Sequence, residues 1–182
     1  MGYLVDLKPN AIAAFTVTVL RHRQHYLLLQ RAETKQFAPG RWTGVGGHVE
    51  IDELGDLRRA ALRELAEETG ITAADIRHLT LRRALLHNRP ANPLTLLLYF
   101  TGRLQTMTLP ACTEGTLAWM TRTQLLGLDI IETTRQVLPL LIEDELRDPT
   151  GREAVKVGAA HFLADGALAQ VVWGGECDAD QA

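Results

Sequence analysis

Three glutamates, Glu64, Glu67 and Glu68, stand at positions i, i+3 and i+4 of a proline-free stretch that predicts a helix from Leu57 to Thr69. At this spacing the three carboxylates share one helix face, where like charges repel one another. A divalent cation between them would relieve the repulsion, and hard oxygen ligands suit Mg²⁺ or Mn²⁺. The alternative is a solvated acidic face, which is what most charged helix surfaces are.

The opposite side of this helix is predicted to be buried. Leu57, Ala61 and Leu65 recur every four residues and form an apolar stripe. Two glycines, Gly46 and Gly47, precede the helix at the end of a strand-like run, where backbone must approach the helix or a ligand closely. This setting favours the metal-site interpretation over the solvated face.

The same stretch resembles the signature of the Nudix hydrolases. That signature is a glycine, five residues, a glutamate, seven residues, and then Arg-Glu-apolar-x-Glu-Glu-x-Gly-apolar. The matching positions here are Gly47, Glu53, Arg63, Glu64, Leu65, Glu67, Glu68, Gly70 and Ile71. The chain departs from the signature in two ways: nine residues separate Glu53 from Arg63, and Ile51-Asp52 replaces the usual Pro-Gly turn.

The two extra residues are expected to bulge out as a loop between Leu54 and Asp56, with Asp56 capping the helix, because the apolar stripe begins only after Asp56. Two extra helical residues would instead move Glu53 by about 3 Å and rotate it by about 200°, which is too much for a contact with Arg63. The bulge therefore predicts that Glu53 still contacts Arg63.

The resemblance implies a metal-dependent enzyme that hydrolyses a nucleoside diphosphate linked to another group. It implies that Mg²⁺, with Mn²⁺ as the alternative, is held by the carbonyl of Gly46 and the carboxylates of Glu64, Glu67 and Glu68. Arg63 is expected to orient a carboxylate and to pair with Glu53. The implied catalytic set is Glu53, Arg63, Glu64, Glu67 and Glu114.

Glu114 enters this set because related members carry a further acidic residue, as ligand or general base, on a loop outside the signature. It lies in the loop just before the strand that carries Trp119; the alternative is an exposed loop charge. His87, in a proline-rich loop, is the second candidate for this role. Arg31, Trp119 and Thr133 are the expected substrate contacts, although Trp119 could equally fill the core, an interpretation that we slightly favour.

The layout resembles the triphosphate-cleaving members, including those that remove oxidised purine nucleotides. The first expectation is therefore cleavage of a nucleoside triphosphate to a monophosphate and pyrophosphate. Residues 128–135 lack the aromatic base readers of some of those members, so oxidised guanine is not singled out. An ADP-ribose or nucleotide-sugar pyrophosphatase is the alternative enzyme. An inactive nucleotide-binding regulatory module is the non-enzymatic alternative, against which the three intact glutamates argue.

The remaining pattern predicts a strand-rich chain with a second main helix. Strands are expected over residues 11–20, 25–30, 41–49, 76–86, 94–102 and 116–121, the helix over 133–146, and a final hairpin over 154–163 and 168–173. This order predicts an α+β fold, an α/β/α sandwich with a mixed β-sheet between helices, and the resemblance implies the same. One domain is expected over residues 1–173, followed by a disordered tail over 174–182.

The composition bears on the number of domains, the partners and the cellular location. The 182 residues are 46% hydrophobic and 23% charged, which suits one globular domain, and the net charge of −3 argues against a nucleic-acid polymer as partner. Neither a signal peptide nor a membrane span is predicted, so a soluble cytoplasmic protein is expected. Cys112 and Cys177 lack metal-ligand spacing, and free thiols are favoured over a disulfide. The expected partner is a nucleotide substrate, and a homodimer stays open.

Overall fold

Runs of leucine and β-branched residues form the strands, because such side chains pack well on a pleated surface. The computed structural model describes residues 12–90 and 94–174. Its strands are β1 (Ile12–His22), β2 (His25–Arg31), β3 (Trp42–Thr43), β4 (Ile76–His87), β5 (Leu94–Leu104), β6 (Gly115–Thr121), β7 (Lys156–Phe162) and β8 (Leu168–Trp173). Its helices are a 3₁₀ turn (Ile51–Glu53), α1 (Leu57–Thr69), α2 (Arg122–Leu125) and α3 (Glu132–Arg147).

One mixed sheet contains all of these strands. The strand order is β3-β2-β1-β5-β4-β7-β8, and β6 pairs with β2. The β1–β5 and β4–β7 pairs are parallel, whereas the other pairs are antiparallel. The predicted C-terminal hairpin is therefore present as β7–β8, and it extends the sheet beyond β4.

The two long helices cover opposite faces of the sheet. On α1, Ala60, Ala61 and Leu65 are fully buried in a cluster that includes Leu27 and Leu98. On α3, side chains from the middle of the helix, including Val137 and Leu141, pack into a separate cluster. The strand residues of this cluster alternate along the strands with those packed against α1. The α/β/α sandwich with a mixed sheet is confirmed, and α1 has the predicted bounds.

The predicted strand over residues 41–49 is wrong in its length, since only Trp42–Thr43 is a strand and single bridges to β1 follow it. The reason is the close approach of this segment to β1. A Cβ atom at Gly46 would lie 2.3 Å from the carbonyl oxygen of Thr16, and Gly46 has φ of +151°. A side chain could not fit there, and the regular pleat ends.

A buried ion cluster ties the hairpin and β4 to α3. Arg83 donates to both carboxylate oxygens of Asp144, at 2.6 Å and 3.1 Å, and Lys156 donates to the same carboxylate at 2.8 Å. The guanidinium carbon of Arg83 also lies 4.6 Å from the ring centroid of Trp173. These contacts fix the position of β7–β8 against the rest of the sheet.

Several terminal features fall outside the described residues. They include Cys177, the first eleven residues and, apart from Gly174, the predicted tail over 174–182. Cys112 carries a free thiol. In the described part of the chain, every helix is too short or too polar to cross a membrane.

Candidate functional site

The glycine turn brings backbone against the catalytic candidates of α1. The Thr16 N–H donates to the carbonyl of Gly47 at 2.8 Å, which holds the turn on β1. A Cβ atom added to Gly47 would lie 2.5 Å from the carboxylate oxygen Oε2 of Glu64. Glycine at this position therefore leaves the space that the largely buried Glu64 carboxylate occupies.

Gly47→Ala tests this close packing. Gly47 has an ordinary backbone conformation, so alanine strains only its contact with Glu64, and Glu64 is held by Arg63 and has little freedom to move. We expect at least a tenfold lower turnover with a thermal midpoint within a few degrees of wild type. Gly55→Ala is the control, because no atom lies within 4 Å of its added Cβ. Equal turnover for the two variants would contradict the packing argument.

Arg63 uses all five of its N–H donors within the chain. Nε and Nη2 donate to the two oxygens of Glu53, both at 2.8 Å, and Nη2 also donates to the His48 carbonyl at 2.8 Å. Nη1 donates to Glu64 at 2.9 Å and to Glu67 at 3.0 Å. Arg63 therefore has no donor left for a substrate and acts on the site by orienting carboxylates.

The Glu53–Arg63 contact that the bulge predicts is present. Glu53 is fully buried, and the hydrogen bonds from Arg63 are the main reason that its pKa falls from an ordinary value to about 2. The backbone N–H of Glu50 adds a hydrogen bond at 3.0 Å. Burial opposes this shift but does not overcome it, so Glu53 is an anion paired with Arg63 of α1.

The nine-residue gap is taken up before α1 begins. Leu54 and Gly55 form an exposed turn after the 3₁₀ helix, and the side chain of Leu54 is 63% exposed. Asp56 is the N-cap of α1 and accepts a hydrogen bond from the Arg59 N–H at 3.1 Å. Gly55 has no positive φ, so the turn does not depend on its conformational freedom.

Deleting Leu54 and Gly55 together should be tolerated, because neither residue is buried and both lie outside the paired Glu53 and Arg63. We expect turnover within about threefold of wild type and a small change in thermal midpoint, since exposed turns accept length changes at little cost. Turnover and circular dichroism on the purified variant check this. A folded variant without activity would contradict it.

Three carboxylates meet where the end of α1 faces the loop before β6. The Thr113 N–H donates to the backbone carbonyl of Glu68 at 3.1 Å, which places Glu114 beside Glu68. Burial, followed by the nearby charges of Glu114 and Glu64, raises the pKa of Glu68 to about 7. A hydrogen bond from the Gly46 backbone amide, and then Lys35, which pairs with Glu114, partly offset this rise in pKa. The cluster thus has more negative charge than its surroundings neutralise.

These residues fit a divalent cation whose remaining ligands would be waters or substrate phosphates. The Oε2 atom of Glu68 is buried without a hydrogen-bond partner among the described residues, which is costly for a carboxylate unless a cation is bound. Within residues 12–90 and 94–174, no three His, Cys, Asp or Glu side chains form a complete metal site. Mg²⁺ usually takes only one or two protein carboxylates together with waters and substrate phosphates, so Glu64 and Glu68 suffice.

The predicted ligand set is brought together only in part. Gly46, Glu64 and Glu68 lie around the glycine turn, whereas the Glu67 side chain is 59% exposed and contacts Arg63. The i, i+3, i+4 spacing places three carboxylates on one helix face. The way α1 packs against the sheet then brings Glu64 and Glu68, but not Glu67, next to the glycine turn.

A cavity of about 480 Å³ opens beside the carboxylates. Gly46, Glu68 and Glu114 lie on its wall, and so do two predicted substrate contacts, Arg31 and Thr133. Its lining is mostly apolar with a few polar groups, the usual character of a small-molecule site. The carboxylate cluster and the expected substrate contacts therefore share one cavity.

His87 also reaches this cavity, although the proline-rich loop where it was expected begins one residue later. It is the last residue of β4, and burial lowers its pKa to about 4, so the imidazole is neutral at neutral pH. Trp119 does not reach the cavity. Its indole N–H donates to the Met107 carbonyl at 2.9 Å and its ring packs against His22, which agrees with the core interpretation.

Several residues of the cavity wall were missed from the sequence, among them Phe37 and Arg89. Phe37 lies in the loop after β2, and Arg89 follows β4. Neither belongs to a periodic pattern or a motif, so no local signal marks them. Only the fold brings them to the same wall as Arg31.

Comparison with known proteins agrees with this geometry. Residues 9–141 match the family model described as NUDIX domain. The chain is 50% identical over 48 residues to the m7GpppN-mRNA hydrolase NUDT17 of Danio rerio, a stretch that covers 26% of this chain and 15% of that protein. The matched stretch is thus a small part of this curated relative.

Solved structures share the fold at low sequence identity. The mutator MutT protein of Bacillus halodurans is 19% identical with a TM-score of 0.62, over 91% of this chain and 99% of that chain. The NUDIX domain of Shewanella oneidensis NrtR, solved with ADP ribose, is 20% identical with a TM-score of 0.57, over 75% and 88%. Together with the family match, these similarities support an enzyme that hydrolyses pyrophosphate bonds.

Proposed function

The chain belongs to the NUDIX domain family, and we propose that it is a metal-dependent hydrolase of a nucleoside diphosphate linked to another group. One observation carries the proposal. The buried Oε2 of Glu68 has no partner among the described residues and lies beside Glu64 and Glu114 in a cavity large enough for a nucleotide. Such a carboxylate cluster attracts a cation, and a cation attracts phosphates.

In this proposal Glu64 and Glu68, with the Gly46 carbonyl, hold Mg²⁺ or Mn²⁺. The bound metal would neutralise phosphate charge and acidify the attacking water. Glu114 lies close enough to Glu68 to influence the pKa of Glu68. We assign Glu114 the role of general base, which accepts a proton from the attacking water. Lys35, which pairs with Glu114, would balance its charge before the substrate enters.

Arg63 and Glu53 have a positioning role in the same reaction. Arg63 contacts Glu64 and Glu67 through Nη1 while Glu53 holds its other edge. Glu67 stays in the proposed catalytic set as a carboxylate that Arg63 keeps next to the cluster. In this way one partly buried guanidinium orients the carboxylates on α1.

A nucleoside triphosphate, oxidised or not, is our first proposed substrate, with a monophosphate and pyrophosphate as products. The similarity to the MutT protein of Bacillus halodurans over nearly its whole length supports this choice. ADP-ribose is the second candidate, because the similar NUDIX domain of NrtR was solved with that ligand. A capped RNA belongs in the same test, since the relative from Danio rerio is described as an m7GpppN-mRNA hydrolase.

A panel of these compounds with Mg²⁺, in water enriched in oxygen-18, tests the proposal. We expect hydrolysis of at least one compound, stopped by EDTA, with the label in a phosphate product whose identity shows which phosphorus is attacked. Binding of a nucleotide without hydrolysis of any compound would instead favour the regulatory-module alternative.

A further inference from the structure

Two arginines and a phenylalanine on one wall of the cavity form a stack with a second phenylalanine that lies behind this wall. The guanidinium carbons of Arg31 and Arg89 lie 5.9 Å and 5.2 Å from the ring centroid of Phe37. Arg89 also lies 4.6 Å from the ring centroid of Phe162. Cation–π contacts at these distances hold a guanidinium plane in place while leaving its edge available.

Both guanidiniums keep donors for a ligand. Arg31 donates from Nε to the Phe37 carbonyl at 2.9 Å, and Arg89 donates from Nη2 to Glu132 at 2.9 Å. Within residues 12–90 and 94–174, no group accepts a hydrogen bond from Nη1 or Nη2 of Arg31, or from Nε or Nη1 of Arg89. Each guanidinium is thus held by one hydrogen bond and keeps other N–H groups available to a ligand.

The charge of this wall is opposite to that of the carboxylate cluster. Glu132 is shared between Arg89 and Arg41, which donates to it at 2.6 Å, so one carboxylate faces two guanidiniums. Arg31 has no carboxylate partner among the described residues. An anion can therefore bind this wall directly, whereas it needs a cation to bind at Glu68 and Glu114.

We propose that Arg31 and Arg89, held by Phe37 and Phe162, form a phosphate-binding subsite that does not require the metal. This proposal rests on the proposed function, because the phosphate that the subsite binds is taken to be part of the polyphosphate substrate. A guanidinium fork matches two phosphate oxygens, which explains arginine at both positions. The substrate is then held at two places, through the cation at the carboxylates and directly at the arginines.

The C-terminal hairpin takes part in this subsite. Phe162 ends β7, which follows the matched residues 9–141, and it is almost completely buried. Its ring supports Arg89, and His87 packs on it with ring centroids 5.4 Å apart. Phe162 therefore acts as a positioning residue, through Arg89, without lining the cavity itself.

Titration calorimetry with tripolyphosphate in excess EDTA at low salt tests the proposal, because this probe has phosphates but no base. We expect Arg89→Ala and Arg31→Ala each to weaken binding about tenfold or more, and Phe37→Ala by a few-fold. Arg58→Ala, which removes an equal charge from an exposed position on α1, should change it less than twofold. Phe162→Leu removes the ring from an almost completely buried position, so it should weaken binding while lowering the thermal midpoint by a few degrees.

The outcomes separate this subsite from other roles of the same residues. Wild-type protein that fails to bind tripolyphosphate without metal, or arginine variants that bind it like Arg58→Ala, would overturn the proposal. Weaker binding of adenosine 5′-triphosphate alone, with tripolyphosphate unaffected, would assign Arg89 to the base and also overturn it. The calorimetry measures binding and does not depend on turnover, so a substrate panel without hydrolysis would not change its outcome.

Discussion

Glu68→Gln is expected to lower turnover by about a hundredfold or more while leaving the fold intact. The substitution keeps the shape of the side chain but removes the negative charge that would hold the metal, and metal catalysis contributes several kcal/mol to such reactions. Glu68 lies half-buried at the end of α1, with its Oε2 unpartnered among the described residues. Steady-state kinetics with the best compound of the panel measure the loss.

The same substitution should not destabilise the metal-free protein. Burial and the charges of Glu114 and Glu64 make ionised Glu68 unfavourable, as its raised pKa indicates, so a neutral glutamine removes a repulsion. Glu143→Gln is the matched control, because Glu143 is exposed on α3. Unchanged turnover in Glu68→Gln, or equal losses in the two variants, would refute the assigned role.

Glu53→Gln is expected to lower the free energy of unfolding by about 3–5 kcal/mol, because it leaves Arg63 without the buried carboxylate that takes two of its hydrogen bonds. Asp52→Asn is the control in the neighbouring position. Asp52 pairs with Arg59 at 2.7 Å, but both side chains are more than half exposed, so its loss should cost about 0–1 kcal/mol. Urea unfolding of the two variants measures the difference.

The effect of Glu53 also has a defined pH dependence. Its pKa is lowered to about 2 in the folded protein, below the ordinary value of 4.5. A lowered carboxylate pKa stabilises the fold fully above the ordinary value, and the contribution is lost as the pH falls towards the folded value. The stability difference between wild type and Glu53→Gln should therefore be constant from about pH 6 to 8 and shrink between pH 4.5 and 2. A difference that grows on acidification would contradict the ion pair.

The sequence predicts best where the determining contacts are local. The bounds of α1 follow from the Asp56 cap, the apolar stripe and the left-handed Gly70 at its end, all within one short stretch. The Glu53–Arg63 contact follows from the same stretch, because the stripe fixes where the helix begins and leaves the extra residues to the turn. These features needed no knowledge of the tertiary structure.

The stack of arginines and phenylalanines beside the cavity could not be predicted in this way. Phe37, Arg89 and Phe162 are separated by long stretches of sequence, and only the pairing of β4 with β7 and the path of the loop after β2 bring them together. The residue type of Trp119 leaves both base stacking and core packing open, and its partly buried ring packs against the cluster under α1 and not at the cavity. The predicted length of the third strand was also wrong. Glycines in this segment let its backbone approach β1 closely, which replaces regular strand pairing.

Anomalous diffraction from a crystal soaked in Mn²⁺ shows whether Glu64 and Glu68 hold a divalent cation, because it locates the cation without reference to any substrate. We expect a peak at the glycine turn, about 2.0–2.2 Å from carboxylate oxygens of Glu68 and Glu64, and its loss in Glu68→Gln. A peak away from these side chains, or none in a crystal whose protein hydrolyses nucleotides with Mn²⁺, would contradict this metal site.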